Sequence, residues 1–321
     1  PVTSLTPSIK TVVDQMGREV KIPTKVNRVI TLATDIAEIT WLVGAGDKIV
    51  GGSNYVKYDE YLPERIRNVT VVGKWTAVNV ETVASLNPDV MIVEYSSKVE
   101  DLIKSVEKIC PVVVIWPKTI EDIPETIRLI GEVTGGEKAE ELASWVEQKI
   151  NYVKDIVSSI PDHEKPTVLL VSASSILKTK GKTVTVYARG SAWGSLINFV
   201  GGINVAWNIT EPWPKVSLET ILKWNPDKII VLGWRESQAN EAKEVILSDP
   251  NWQVLKAVKN GEVYTIIAGS RKWAWLSWSP RCVVGLFQLA KIVQPKYFSE
   301  INWEEIANEL LTKYYGEKYH G

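Results

Sequence analysis

Histidine, cysteine and methionine are scarce, at two residues each in a chain of 321. His163 lies in the polar stretch "PDHEKP", and His320 is the last residue but one. The chain therefore has almost none of the residues needed for a Ser-His-Asp or Cys-His nucleophile system. A metal site built on imidazoles or thiolates is not expected either. Cys110 and Cys282 are too few and too far apart to form a disulfide framework.

The common catalytic motifs are also missing. The sequence has no HExxH, no GxxxxGK[ST] phosphate loop and no CxxC pair. We therefore predict a protein that is not an enzyme and holds no cofactor. An enzyme on a doubly wound fold is the weakest of the hypotheses kept open.

Long apolar runs and an excess of charge of one sign are absent as well. No stretch of 18 apolar residues occurs, so no transmembrane helix is predicted. The first residues, "PVTSLTPSIK", have the Ser/Thr/Pro bias of a spacer and lack a signal pattern, which leaves a cytosolic protein or a missing targeting segment. A net charge of −1 argues against a nucleic-acid partner, because little is gained from phosphate contacts.

The chain instead shows alternating strand and helix patterns typical of α/β proteins. "TVVDQMGREVKIP" predicts a hairpin, and apolar strands such as "RVITLA", "KIVGGS", "VMIVE" and "PVVVIW" are each followed by a helical stretch. "PTVLLVS", "TVTVYARG", "DKIIVLG" and "GEVYTII" repeat the pattern later in the chain. Strands that lack polar alternation and are separated by helices indicate parallel sheets covered on both faces.

Residues 137–160 predict one long helix between two domains. They contain no Gly or Pro, and apolar residues recur on one helical stripe from position 142 to 160. Unbroken, this helix would extend about 36 Å at about 1.5 Å per residue. We predict an N-terminal α/β lobe at 1–136, a linking helix at 137–160 and a C-terminal α/β lobe at 161–321, with the ligand in a cleft between the lobes.

One segment of the sequence occurs twice in similar form. "VNVETVASLNPDVMIV" at 78–93 matches "VSLETILKWNPDKIIV" at 216–231, an offset of 138 (216 − 78), with eight of sixteen positions identical. Turn chemistry accounts for the shared Asn-Pro-Asp but not for the shared glutamate, Glu81 and Glu219. A period this long indicates two related lobes rather than a solenoid.

Tryptophan is abundant, at 14 residues, and several Trp and Arg residues fall at predicted strand ends. Doubly wound sheets place ligands at these ends. The loop "GSRKWAWLSWSP" at 269–280 combines cations with three Trp residues, which suits a planar or anionic ligand. The predicted ligand contacts are Trp75, Tyr95, Ser96, Tyr187, Arg189, Trp213, Trp234, Arg235, Arg271, Trp273 and Trp275.

Six segments in order resemble the substrate-binding proteins of ABC importers of the iron-siderophore and cobalamin type. They are "TVVDQMGREVKIP", "NRVITLATDIAEITWLVGAGDKIVGGS", "NVETVASLNPDVMIV", "GSAWGSLINFVGGINVA", "PWPKVSLETILKWNPDKIIV" and "SPRCVVGLFQLAKIVQPKYF". The resemblance implies two doubly wound lobes bridged by a single long helix. It also implies an extracytoplasmic receptor, periplasmic or on the cell surface, that delivers its ligand to a permease dimer with an ATPase.

The same resemblance implies a lipid anchor, which would require an N-terminal segment preceding Pro1, and a monomeric receptor. It further implies that Glu81 and Glu219, one on each lobe, dock on the permease. Two ligand classes stay open. The first is a metal chelate, expected to be a ferric siderophore. The second is molybdate or tungstate, favoured if the serines of "VEYSS" and "SASS" converge with Arg.

Overall fold

A computed structural model describes residues 8–320 of the chain. The chain divides into two compact units. The first ends at Glu147 and also includes Trp278–Pro280, whereas the second begins at Gln148 and includes the residues from Arg281 onward. In the described part of the chain no helix combines the length and apolarity needed to cross a membrane.

The strands and helices alternate through most of both units. The strands are β1 Ile9–Val13, β2 Glu19–Pro23, β3 Val29–Thr31, β4 Ile49–Ser53, β5 Thr70–Lys74, β6 Ala77–Val78, β7 Val90–Glu94, β8 Val112–Ile115, β9 Thr167–Ser172, β10 Thr183–Thr185, β11 Ile203–Asn204, β12 Lys215–Ser217, β13 Lys228–Gly233 and β14 Val263–Ile267. The helices are α1 Thr34–Thr40, α2 Glu64–Arg67, α3 Val80–Ser85, α4 Val99–Val106, α5 Ile123–Thr134, α6 Ala139–Ser158, α7 Ala173–Thr179, α8 Ala192–Phe199, α9 Leu218–Trp224, α10 Glu236–Ser248, α11 Lys256–Lys259, α12 Cys282–Val293 and α13 Trp303–Leu310.

The first unit is built on a six-stranded sheet in the order β6-β5-β4-β3-β7-β8. All neighbouring pairs are parallel except β5 and β6. Residues 90–93 of β7 and all of the edge strand β8 are buried, as expected for a parallel sheet covered by helices. The predicted hairpin is present as β1 and β2, with Gly17 at φ 78° in its turn.

The second unit contains a parallel sheet in the order β11-β9-β13-β14. One strand prediction is corrected here: of "TVTVYARG" only β10 is a strand, and it pairs antiparallel with β12 in a separate two-stranded sheet. Its partner lies far along the chain, and non-local pairing is not encoded in a local apolar pattern. The fold class is otherwise as predicted, with two α/β units whose main sheets are largely parallel.

Helix α6 is the predicted long helix, and the division between the two units falls inside it. Its buried residues recur at helical spacing, at Leu142, Val146, Ile150 and Val153. The predicted stripe is confirmed through Val153, whereas residues 156 and 157 are only half-buried. The three-part division at 136 and 160 stays a prediction.

The repeated segment folds in the same way in both copies. α3 is followed by β7, and α9 is followed by β13. Asp89 Oδ2 accepts hydrogen bonds from the Asn27 and Arg28 N–H groups, just before β3. Asp227 Oδ2 likewise accepts from the N–H of Thr167, the first residue of β9. Each aspartate thus ties the start of its own strand to the start of the parallel neighbour.

Candidate functional site

Aromatic side chains follow two neighbouring strands of the first unit. Tyr95 comes directly after β7 and Trp116 directly after β8, so both lie at the carboxyl edge of the sheet. Their rings stack with centroids 3.8 Å apart and an interplanar angle of 15°. Lys118 Nζ lies 4.2 Å from the centroid of Trp116. This edge therefore presents a stacked aromatic pair with a cation over one ring.

The other predicted contacts of the first unit are more exposed or used locally. Trp75 occupies the turn between β5 and β6 and is 41% exposed. Ser96 is half-buried, and its Oγ accepts a hydrogen bond from the Lys98 N–H at 3.3 Å.

An acidic pair that the sequence reasoning missed lies at the same edge. Glu94 is the last residue of β7, and Asp35 lies in the first turn of α1, which follows the adjacent strand β3. Burial, and to a lesser degree the charge of Asp35, raises the pKa of Glu94 to about 7. Asp35 Oδ2 accepts a hydrogen bond from the Trp278 N–H at 3.2 Å. The available signal was a glutamate that ends the apolar run "VMIV".

The carboxyl edge of the second unit carries Trp and Arg as predicted. Trp234 and Arg235 follow β13. Trp234 is 49% exposed, and its backbone N–H donates to Gln238 Oε1 at 3.0 Å. Its ring lies against the loop after β14, since a Cβ added at Gly269 would sit 3.1 Å from a ring carbon. Gly269 has φ 105°, which a larger residue rarely adopts.

A cavity of 510 Å³ in the second unit brings four of the predicted contacts together, namely Arg235, Arg271, Trp273 and Trp275. Its lining comprises the cations Arg235, Arg271 and Lys272, the aromatic residues Trp273, Trp275, Trp303 and Tyr319, and Glu236, Thr265, Ile267 and Gln288. Sequence reasoning missed Trp303 and Tyr319, which belong to the last 20 residues of the chain.

The Trp residues of the 269–280 loop are less exposed than their sequence predicts. Trp275 is only 1% exposed, so its side chain is packed inside the protein although it was predicted as a ligand contact. Trp273 is half-buried and has φ 64°, a left-handed backbone that is rare for a bulky residue. Their ring centroids are 5.9 Å apart.

Arg189, Trp213 and Tyr187 are not among the residues that line this cavity. Arg189 is exposed, with its guanidinium 5.8 Å from the Trp207 ring, and the segment before it bridges antiparallel to β9 at Val186. The expectation that Arg189 follows a strand of the parallel sheet is therefore wrong. Trp213 is 59% exposed.

Tyr187 is buried, with only 6% of its surface exposed. Burial raises the pKa of its hydroxyl, whereas a hydrogen bond with Ser172 at the end of β9 opposes the rise.

Glu81 and Glu219 occupy equivalent positions in the two copies of the repeat. Each is the second residue of its helix and is exposed. The cap of each helix, Asn79 or Ser217, accepts a hydrogen bond from the N–H three residues later. Glu219 also forms an ion pair with Lys223 at 2.8 Å, and the hydrogen bond from Lys223 lowers the pKa of Glu219.

Within residues 8–320 no three His, Cys, Asp or Glu side chains are grouped in a way that could hold a metal ion.

Known proteins resemble this chain over nearly its whole length. It is 27% identical to the molybdate-binding protein MolA of Haemophilus influenzae, over 96% of this chain and 91% of that protein. It is also 27% identical to the ABC transporter substrate-binding lipoprotein YvrC of Bacillus subtilis, over 90% of this chain and 87% of that protein. The crystal structure of a periplasmic solute binding protein from Veillonella parvula superposes with a TM-score of 0.80 at 27% identity, covering 98% of this chain and 94% of that one.

A family model described as periplasmic binding protein matches residues 29–268, more than half of the chain. The family and the fold are those of substrate-binding proteins and not of enzymes. Membership implies an extracytoplasmic location. This chain therefore belongs to the periplasmic binding protein family, the substrate-binding proteins of ABC transporters.

Proposed function

We propose that this protein captures an anionic metal chelate, a ferric siderophore or a similar complex, and delivers it to an ABC permease dimer with its ATPase. The observation that carries the proposal is the cavity of the second unit, where Arg235 and Arg271 stand beside four aromatic side chains. Its volume of 510 Å³ falls within the range of about 300–1,000 Å³ that small-molecule sites occupy.

The two kinds of side chain in the cavity suit two parts of such a ligand. A guanidinium group pairs with carboxylate or catecholate oxygens through parallel charge-assisted hydrogen bonds. The half-buried indole rings of Trp273 and Trp303 offer flat apolar surface to the organic part of the chelator. A ligand that is both charged and partly planar would use both.

A molybdate or tungstate receptor is the second candidate. It is supported by the likeness, over 96% of this chain, to a relative named as a molybdate-binding protein. A tetrahedral oxyanion is bound by converging hydroxyl and N–H donors, and it would leave most of an aromatic cavity unfilled.

Three of the serines predicted for an oxyanion site have local hydrogen-bond partners. Ser174 Oγ accepts from Gln238 Nε2 at 3.0 Å, and Ser175 Oγ donates to the Ser172 carbonyl at 2.8 Å. Ser96 Oγ is engaged with the Lys98 N–H. None of these serines is among the residues that line the cavity with Arg235 and Arg271, which favours the chelate over the oxyanion.

We further propose that Glu81 and Glu219 dock on the permease. Both carboxylates are exposed at matching helix starts, so two like charges are offered by two copies of one motif. A permease dimer with two equivalent basic pockets would be complementary to such a pair. The YvrC relative is named as a lipoprotein, which supports a lipid tether for this receptor. We also propose that the receptor acts as a monomer.

The remaining predicted contacts, Trp75, Tyr95, Ser96, Tyr187, Arg189, Trp213 and Trp234, stay predictions. A tryptophan-fluorescence titration with iron(III) tricatecholate, ferric citrate and sodium molybdate tests the ligand class. We expect saturable quenching by an iron chelate at micromolar concentration and none by molybdate. Saturation by molybdate alone would contradict the chelate and support the oxyanion receptor.

A further inference from the structure

The end of the chain folds back onto the loop that carries Arg271. After α13, Gly316 turns the backbone with φ 71°. The Tyr319 N–H then donates to Asn308 Oδ1 at 2.9 Å, which ties residues 316–320, hereafter the C-terminal segment, to α13. Lys272 Nζ donates to both carboxylate oxygens of Glu317, at 2.5 and 2.6 Å. The residue after Arg271 is thus joined to the C-terminal segment by an ion pair.

The Tyr319 ring lies among three indoles. Its centroid is 4.8 Å from that of Trp273, 5.8 Å from that of Trp275 and 5.6 Å from that of Trp303. The interplanar angles of 87°, 60° and 63° are those of edge-to-face contacts, which aromatic rings prefer over face-to-face overlap. Tyr319 therefore contacts two Trp residues of the Arg271 loop and one of α13.

The backbone of the loop needs such support. Trp273 holds a left-handed conformation with φ 64°, which a bulky residue keeps only when its surroundings enforce it. The Ala274 N–H donates to the Arg271 carbonyl at 3.0 Å, so the strained residue lies inside the turn that begins at Arg271. Glu317 and Tyr319 contact Lys272 and Trp273, the two residues that follow Arg271, and both of these line the cavity.

We propose that Tyr319 and Glu317 are positioning residues for ligand recognition. They hold the loop at 271–273 so that the cavity and the Arg271 side chain are in place before the ligand arrives. A preorganised site loses less conformational entropy on binding, so holding the loop in place would increase the affinity for the ligand. The proposal rests on the proposed function, because it assigns the C-terminal segment to the same cavity.

The test compares Tyr319→Ala and Glu317→Gln with Tyr319→Phe, which keeps the ring, and with Tyr58→Ala, which removes an exposed tyrosine of the first unit. Hydrogen exchange without ligand reports on the loop through the amides of Ala274 and Trp275, which donate to Arg271 and Ile267 carbonyls. A fluorescence titration with iron(III) tricatecholate reports on binding.

We expect Tyr319→Ala to speed exchange of these two amides and to weaken probe binding by about tenfold or more, with a smaller effect for Glu317→Gln. Tyr58→Ala should stay within about twofold of the parent protein in both measurements. Tyr319→Phe, which keeps the ring, should match the parent in exchange of these two amides. Should Tyr319→Ala fail to fold, Glu317→Gln carries the test, because it removes one charge of an ion pair and no core group.

Unchanged exchange in Tyr319→Ala or, failing that, Glu317→Gln overturns the proposal. Faster exchange with unchanged affinity also overturns it, because the segment would then serve only to pack the loop. If the parent protein does not bind the probe, the proposed chelate is contradicted. The exchange comparison then still decides whether the segment holds the loop.

Discussion

Asn87 and Asn225 have nearly the same left-handed backbone, with φ 44° and 43°, at positions 138 residues apart (225 − 87). Each follows the helix of one copy of the repeated segment and precedes a Pro-Asp pair. Asparagine tolerates this conformation better than most residues, and proline prevents the helix from continuing. The identical Asn-Pro-Asp residues of the two copies therefore form turns with the same backbone conformation.

Alanine at either position should destabilise the protein because a Cβ without a compensating polar group is strained in the left-handed region. We expect Asn87→Ala to lower the free energy of unfolding by about 1 kcal/mol. Asn225→Ala should cost more, since it also loses the hydrogen bond from the Lys256 N–H to Asn225 Oδ1. Urea unfolding measures both. Asn87→Gly is the matched control and should be at least as stable as the parent, and equal losses for Gly and Ala would contradict the backbone explanation.

The partly buried carboxyl of Glu94 should make stability depend on pH. Its pKa of about 7 lies above the ordinary value of 4.5, so the folded state binds the proton more tightly than the unfolded state. The contribution of Glu94 to stability should therefore fall as pH rises from about 4.5 to about 7 and then level off.

Glu94→Gln removes this ionisation. We expect the variant to be more stable than the parent at pH 8, by about 1–3 kcal/mol, and nearly equal to it at pH 4.5. Urea unfolding at several pH values measures the difference, with Glu100→Gln on the exposed face of α4 as control. Parallel pH profiles for Glu94→Gln and the parent would show that Glu94 is not the responsible group.

Charge reversal should separate transport from ligand binding. With both Glu81 and Glu219 changed to Lys, we expect unchanged ligand affinity but loss of uptake, because the proposed basic pockets of the permease would repel the new charges. Glu64→Lys with Glu244→Lys, two exposed glutamates elsewhere, is the matched control and should support normal uptake. Uptake at the parent rate by the Glu81/Glu219 variant would refute the docking proposal.

The two cysteines should be inert in the folded protein. Both are buried and neither is in a disulfide, and burial raises the pKa of the Cys110 thiol to about 12. The reactive thiolate is therefore scarce at pH 8. We expect almost no labelling by a maleimide until urea unfolds the chain, whereas an exposed thiol introduced by Ser85→Cys should react at once. Rapid labelling of the native parent would indicate local opening around these residues.

Sequence patterns predict the features that depend on neighbouring residues. The hairpin of β1 and β2, helix α6 and both copies of the repeat follow from turn residues and apolar periodicity. The partner of β10 and the burial of Trp275 do not, since each depends on residues far along the chain. Tyr319, which lies beside Trp273, is separated from it by 46 positions (319 − 273) and carries no motif.

Some residues of the candidate site can likewise be predicted from local sequence patterns, and others cannot. Trp234, Arg235 and Arg271 are recognisable because they follow apolar strands, where parallel sheets place ligands. The acidic pair of Asp35 and Glu94 was missed because the two residues are brought together by the pairing of β3 with β7, and the raised pKa of Glu94 comes from its burial.

The central claim is that Arg235 and Arg271 recognise the charge of a chelate. Its most direct test is the affinity for iron(III) tricatecholate of the parent, Arg235→Ala, Arg271→Ala and the double variant, with exposed Arg65→Ala as control. We predict a loss of roughly 2–5 kcal/mol in binding free energy for each single variant, no detectable binding by the double variant and parent affinity for Arg65→Ala. Parent affinity in the double variant would contradict the account and place the ligand elsewhere.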